Sequence, residues 1–355
     1  MIRFTLRQFR NVAVVSILVL VVLAVILAIT GVPLVHLYDS TIRNCKAQGD
    51  CKEFLLTDRS LYVWLGIIVL VAPGIIGVFW GAPLVAGELE NGTFRLAWSQ
   101  SVTRTRWMVT KLGVVGLAAM ASAALLSLMV TWWASPLDRV NMDLFGHFDE
   151  RGIVAIGYAA FAFSLGVTAG ILIRKTLPAM AVTLVAFVFA RLAFVSWIRP
   201  NLFAPAYKAL PLDPVSTGFA TSGGSMSTAT LIPAPPFISN AWVYSTQIVD
   251  KAGHALTHSF LARACPLLVS GKSAGVSSAG FGLLGHSATR SQAPAGAQSV
   301  LQDCVAKVGA TFHELVTYQP ASRYWPLQWY EMAIFLGAAV ILAGFSTWWV
   351  RRRLT

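Results

Sequence analysis

The chain has 355 residues, of which 56% are hydrophobic and only 12% charged, and its formal net charge is +12. Its mean hydropathy is +0.67, and a soluble globular domain carries about 25% charged residues. That balance excludes a soluble enzyme and predicts an integral membrane protein whose basic residues rim the bilayer, with no nucleic-acid partner.

The first ten residues, MIRFTLRQFR, stand before the first long apolar run. On a helical wheel Ile2, Leu6 and Phe9 share one face, and Arg3, Arg7 and Arg10 line the adjacent one. This predicts an interfacial amphipathic helix over residues 1–11, its arginines anchored at headgroup level. The alternative is a charged leader without a helix. Six apolar runs follow, each long enough to cross a ~30 Å hydrocarbon core as a helix. They cover residues 12–35, 61–83, 112–133, 153–173, 177–198 and 329–350. Backbone polar groups in lipid must be satisfied within each segment, so the expected fold is an all-α polytopic membrane protein. The first run has no small-residue cleavage site after it and reads as a retained span.

Between the spans lie unequal connections. Residues 37–60 are short and polar, 84–111 carry the stretch LVAGELENGTFRLAWSQSVTRTRW, and 134–152 are short and acidic. Arg174-Lys175-Thr176 makes a tight turn, so spans four and five form an antiparallel hairpin. Residues 199–328 are the largest feature outside the membrane, with IPAPPF and TSGGSMST among loop-like stretches. Within them 242–252 and 303–316 read as helices. Tyr318, Tyr324, Trp325, Trp329 and Tyr330 crowd the start of span six, where such aromatics anchor a helix at the headgroup boundary.

Six spans put both termini on one side. That side collects Arg3, Arg7, Arg10, Arg95, Arg104, Arg106, Lys111, Arg174, Lys175 and Arg351 to Arg353, against only Glu88 and Glu90. Lysine and arginine mark the cytoplasm, so both termini are expected inside and residues 199–328 outside a bacterial plasma membrane. Cys45, Cys51, Cys265 and Cys304 then all fall outside, which suggests the disulfides Cys45–Cys51 and Cys265–Cys304. Four free thiols are the alternative.

Several features do not carry chemistry. Ser270–Ser273 reads SGKS, but Pro266 stands where a phosphate loop needs its first glycine. His254 and His258 have metal-ligand spacing without the glutamate of a metalloprotease helix. No metal site is expected, and no histidine falls within the six expected runs. Arg191 is the one clear ionisable residue expected inside the spans. It lies about two turns from the outer boundary, where a long side chain snorkels or pairs with a neighbouring helix rather than binding substrate.

The connection between spans two and three is different. Glu88-Leu-Glu90-Asn-Gly92-Thr93, then Ser99, Arg104 and Lys111, resembles the corresponding loop of type 2 ABC exporter permeases. Actinobacterial members are similar over LVAGELENGTFRLAWSQSVTRTRW, over RPNL (residues 199–202) and over YQPASRYWPLQWYE (residues 318–331). The outer region of 199–328 is larger than the family's minimal pattern, which leaves substrate and gating open. The resemblance implies a coupling helix that docks onto a separate ATPase subunit, with Glu88, Glu90, Gly92, Thr93, Arg95 and Arg104 as coupling residues. Glutamates near a helix N-terminus are favoured by its dipole, Gly92-Thr93 breaks or re-caps the helix, and the arginines bond a partner's acidic or carbonyl groups. A solvated charged loop is the alternative. The resemblance further implies a permease dimer, two ATPase copies holding ATP and Mg, no cofactor on this chain, and a substrate path lined by spans two and five. A drug-like, lipid or peptide cargo would leave by alternating access. A membrane-anchored sensor or assembly protein, with an outer ligand-binding region, is the second reading.

Overall fold

The computed structural model describes residues 2–48, 59–92, 103–141, 143–212, 217–221, 229–233, 238–266 and 295–353. The chain divides into two units, Met1–Phe203 with Ser322–Thr355, and Ala204–Ala321.

The first unit is helical. Among the described residues six helices are long and apolar enough to cross a membrane: Phe9–Tyr38, Ser60–Glu90, Arg104–Arg139, Val154–Ile173, Thr176–Asn201 and Ala321–Arg353. We call them spans one to six. The face carrying both termini is the proximal face, and the opposite one is distal. Span four is the hub, because its sequence VAIGYAAFAFSLGVTAGILI is rich in Gly and Ala, which let neighbouring backbones come close. At Gly77 an added Cβ would stand 2.6 Å from the Ala162 carbonyl oxygen, and at Gly170 2.6 Å from that of Ala82. Backbone meets backbone where spans two and four cross. Span two accommodates this with a π-turn, Gly77–Gly81, between Arg59–Ile76, which contains Pro73, and Ala82–Glu90. Spans four and six are pinned by Thr168 Oγ1 and Ser346 Oγ, 3.0 Å apart.

Two expectations at the proximal face need correction. The stretch 1–11 is helical, but it is the start of one helix, Ile2–Gln48, and not a separate interfacial element. Phe9 is buried edge-on against Trp80 at a centroid distance of 4.9 Å, so its ring is withdrawn from lipid. Arg10 is exposed, and the side chains of Arg3 and Arg7 lie outside the described residues. Span two continues to Glu90 and span three begins at Arg104, so the loop is shorter than 84–111. Residues 93–102 of that connection, where a coupling helix is expected, lie outside the described residues.

The second unit departs from the all-α expectation. It holds an antiparallel sheet in the order β1 (Ala206–Leu210), β5 (Phe312–Gln319), β4 (Trp242–Asp250), and a hairpin of β2 (Thr217–Thr221) with β3 (Ala229–Pro233). The stretch 242–252 is therefore a strand and not a helix. WVYSTQIVD is rich in aromatic and β-branched residues, which favour a pleated surface. Within 303–316 the helix Ala295–Gly309 ends and β5 begins, with Phe312, Glu314 and Val316 buried at every second position. Cys265 and Cys304 are disulfide-bonded, Cα atoms 5.3 Å apart, between the helix His258–Ala264 and the helix Ala295–Gly309. Of the expected pair Cys45–Cys51, Cys51 and the side chain of Cys45 lie outside the described residues.

Candidate functional site

The motif acids sit on the last turn of span two, not near the N-terminus of their own helix as expected. Glu88 is buried and its Oε1 lies 2.5 Å from Lys111 Nζ on span three. Lys111 is 1% exposed, donates to the Leu84 carbonyl at 3.3 Å, and stands 4.8 Å from the centroid of the Trp107 ring. Glu88 therefore ties spans two and three together inside the chain. Glu90 is exposed, and its Oε2 accepts hydrogen bonds from Thr176 N at 2.9 Å and Thr176 Oγ1 at 2.7 Å. That is the N-terminus of span five, where orphan N–H groups and the helix dipole favour a carboxylate. The dipole argument holds, but for another helix. Asn91 caps span two through its N–H to the Gly87 carbonyl at 3.1 Å, and Gly92 follows at φ +68°, the left-handed stop that glycine accepts most readily. Thr103 Oγ1 accepts from Arg106 N and opens span three. Arg104 is half-buried and Arg106 exposed; Thr93 and Arg95 lie outside the described residues.

A second polar cluster joins spans four, five and six at the distal face. Arg199 donates from Nε to Glu331 Oε2 and from Nη2 to Glu331 Oε1, both at 2.9 Å, and also grips Asp149 with both terminal nitrogens. Tyr158 OH donates to Asp149 Oδ1 at 3.0 Å and contacts Glu331 Oε1. Arg191 pairs with Asp149 at 3.5 Å and sets its guanidinium carbon over the Tyr158 ring, 3.5 Å from the centroid. Two guanidiniums thus meet two carboxylates; Arg199 is hydrogen-bonded to both acids, while Arg191 is held by the ion pair with Asp149 and the face of Tyr158. Burial alone would push the Asp149 carboxyl up; Arg199 and then Arg191 outweigh it and hold it below its ordinary range. Gln328, fully buried on span six, accepts from the N–H groups of Ile153 and Val154 at the start of span four and donates to the Phe148 and Arg151 carbonyls.

The packing reading of Arg191 agrees with this geometry, but it is not the one ionisable residue within the spans. Lys111 and Glu331 are buried in spans three and six. Assigning span three a start at residue 112 hid the first. The second stands beyond the aromatic run, where it read as part of a boundary. The segments 199–202 and 318–331, singled out above by resemblance, meet through Arg199 and Glu331. Trp325 and Trp329 are exposed. His254 bonds Asp250 at 3.2 Å, and residues 270–273 lie outside the described residues.

The sequence model of a family described as ABC-2 membrane transporter related matches residues 17–199, just over half of the chain. The chain belongs to that family. The match runs from span one to the Arg199 clasp at the end of span five, so it contains the proximal motif and all of the distal cluster except the span-six residues. Membership makes this a membrane transporter permease subunit, a family of permeases rather than of catalytic sites. No curated protein and no solved structure shows a significant match to the permease.

Proposed function

We propose that the permease is the membrane subunit of an ATP-driven exporter, working as a dimer above two copies of a separate ATPase subunit. The proximal face, with its excess of lysine and arginine, is cytoplasmic in this reading. The observation that carries it is the junction at residues 88–111: Glu88 with Lys111 and Glu90 with Thr176 tie the ends of spans two, three and five into one piece. A partner pushing on residues 91–103 would move three spans together. Glu88 faces inward, so among the described residues of the motif we assign exposed Glu90 and Arg106, with half-buried Arg104, to the ATPase-facing surface, to which Thr93 and Arg95 of the same connection also belong in this reading. ATP-driven closure of that partner would shift the permease between inward- and outward-open states through its differential affinity for the two. The cargo belongs to the drug-like, lipid or peptide class.

The test is reconstitution of the permease with the ATPase that co-purifies with it. Glu90→Ala combined with Arg106→Ala should leave the permease folded in the membrane. It should lower ATPase retention or substrate-stimulated hydrolysis by about tenfold or more, as loss of paired interfacial charges does. Normal retention and normal hydrolysis would remove the coupling assignment. The sensor reading, which the folded second unit favours, would then lead.

A further inference from the structure

The connection between spans three and four includes residues 143–152, DLFGHFDERG. A short polar connection ordinarily lies in water, yet Phe148 and Arg151 here are 2% and 5% exposed. The segment reaches every span from two to six. Glu150 lies against Gly66 of span two, where an added Cβ would collide with its carboxylate. Arg151 Nε donates to Asp138 of span three at 3.3 Å, and Ser127 of the same span donates to the Gly152 carbonyl at 2.8 Å. Asp149 holds Tyr158 of span four and Arg191 and Arg199 of span five. Span six holds the segment by Gln328, and Phe148 packs edge-on against Tyr324 at 5.4 Å.

The geometric consequence is direct. Spans two and three cannot part from spans five and six at the distal face while this segment keeps its contacts. The contacts are also of a kind that water can replace. Asp149, Glu150 and His147 are each about one-fifth exposed at the side chain, and charges and hydrogen bonds hold the segment to spans two to six, beside one aromatic contact in which Phe145 and Phe148 pack on Tyr324. Arg151 commits Nε to Asp138 and sets its guanidinium over the Tyr62 ring, 5.2 Å from the centroid; its two terminal nitrogens are buried with no hydrogen-bond partner among the described residues, and lifting the segment would hydrate them.

We propose that residues 143–152 are the distal gate of the permease, latched shut by Asp149 on Arg191 and Arg199. In the state described the gate is closed. The inference deepens the transporter reading and rests on it, but its test needs neither ATPase nor substrate, so the two fail separately.

The experiment uses the full chain in liposomes and a cysteine reporter beneath the gate. Ser127→Cys is close to isosteric at a position that is 1% exposed. A membrane-impermeant maleimide applied from the distal side reads its exposure, with the chain retaining Ser127 as background. Adding Asp149→Asn should raise the labelling rate about tenfold or more by shifting the population towards the open gate. Asp149→Glu, which keeps the charge, should leave it within about twofold of the parent. An unchanged rate in folded Asp149→Asn protein would overturn the gate and leave a brace. Equal acceleration by Asp149→Glu would overturn the charge latch. Should Asp149→Asn fail to fold, Tyr158→Phe removes only the hydroxyl bridging Asp149 and Glu331. It should accelerate labelling about threefold, and no acceleration would likewise overturn the proposal.

Discussion

Replacing Glu88 with leucine tests whether the motif acid holds the fold or faces a partner. The substitution leaves the Lys111 ammonium, 1% exposed, without its carboxylate. Removing one member of a buried ion pair costs about 3–5 kcal/mol, because the survivor remains desolvated and uncompensated. Lys111 keeps the Leu84 carbonyl at 3.3 Å and the face of Trp107, which favours the lower end, about 3 kcal/mol. At 1.36 kcal/mol per decade that is roughly a hundredfold in the folding equilibrium. The paired change Glu88→Leu with Lys111→Met removes both charges and should recover all but about 1 kcal/mol, since apolar replacement of a buried pair is often neutral. Reversible unfolding in mixed micelles measures the double-mutant cycle, and ATPase co-purification measures docking. The folded double variant should retain its ATPase, because Glu88 faces inward. A single variant within about 0.5 kcal/mol of wild type, the behaviour of an exposed pair, would refute the reasoning. So would loss of docking in a fully stable double variant.

Three further outcomes are expected. Gly166→Ala would drive a methyl into the Gly77 carbonyl of span two, and the overpacking should cost about 1–3 kcal/mol in the same unfolding assay; Gly113→Ala on span three, which meets nothing within 4 Å, is the control. Reducing Cys265–Cys304, which closes 39 residues, should lower the stability of the second unit by about 4 kcal/mol on loop entropy, and non-reducing peptide mapping should recover the bridge. The folded-state pKa of Asp149 is depressed by Arg199 and Arg191, so its contribution is complete above the unfolded value near 3.9 and is lost as pH falls through the lower folded one. Unfolding profiles of wild type and Asp149→Asn should therefore converge only in strong acid, and parallel profiles down to pH 2 would contradict the pairing.

What could be read from sequence follows the range of the forces involved. Spans announce themselves because burial in lipid demands about 20 apolar residues in a row, and all six runs overlap the helices found. Helix ends are harder. Span three begins at Arg104 because Thr103 caps it and Lys111 is neutralised by Glu88, and the second fact is a contact across 23 positions of sequence. The strands of the second unit were hidden for a related reason. FHELVTYQ places Glu314 on the buried side of β5, so apolar alternation is broken where the sheet packs. The distal segment left a trace that length and composition obscured. In a chain only 12% charged, residues 138–151 hold Asp138, Arg139, Asp143, Asp149, Glu150 and Arg151. Such density over a connection of that length signals partners elsewhere, though not which spans supply them.

Span five connects the two polar sites, and its packing suits it to carry movement between them. At its proximal end Glu90 holds Thr176; at its distal end Asp149 and Glu331 hold Arg199. Between these ends its buried residues are Ala179, Thr183, Phe187, Arg191 and Phe194, spaced by three or four positions. Such a row makes a narrow seam along the helix, while Leu177, Val185, Phe189 and Leu192 lie exposed beside it. A helix held by polar clasps at both ends and by one thin seam can tilt about the seam with little repacking, because few interlocked side chains need to move. In the proposed mechanism a push at residues 91–103 reaches Thr176 through Glu90, and the same tilt displaces Arg191 and Arg199 from beneath Asp149. The two acids at either end of span five are then not independent sites. Weakening either one should alter the other's contacts, and cysteine labelling beneath the distal segment should respond to Glu90→Ala as well as to Asp149→Asn.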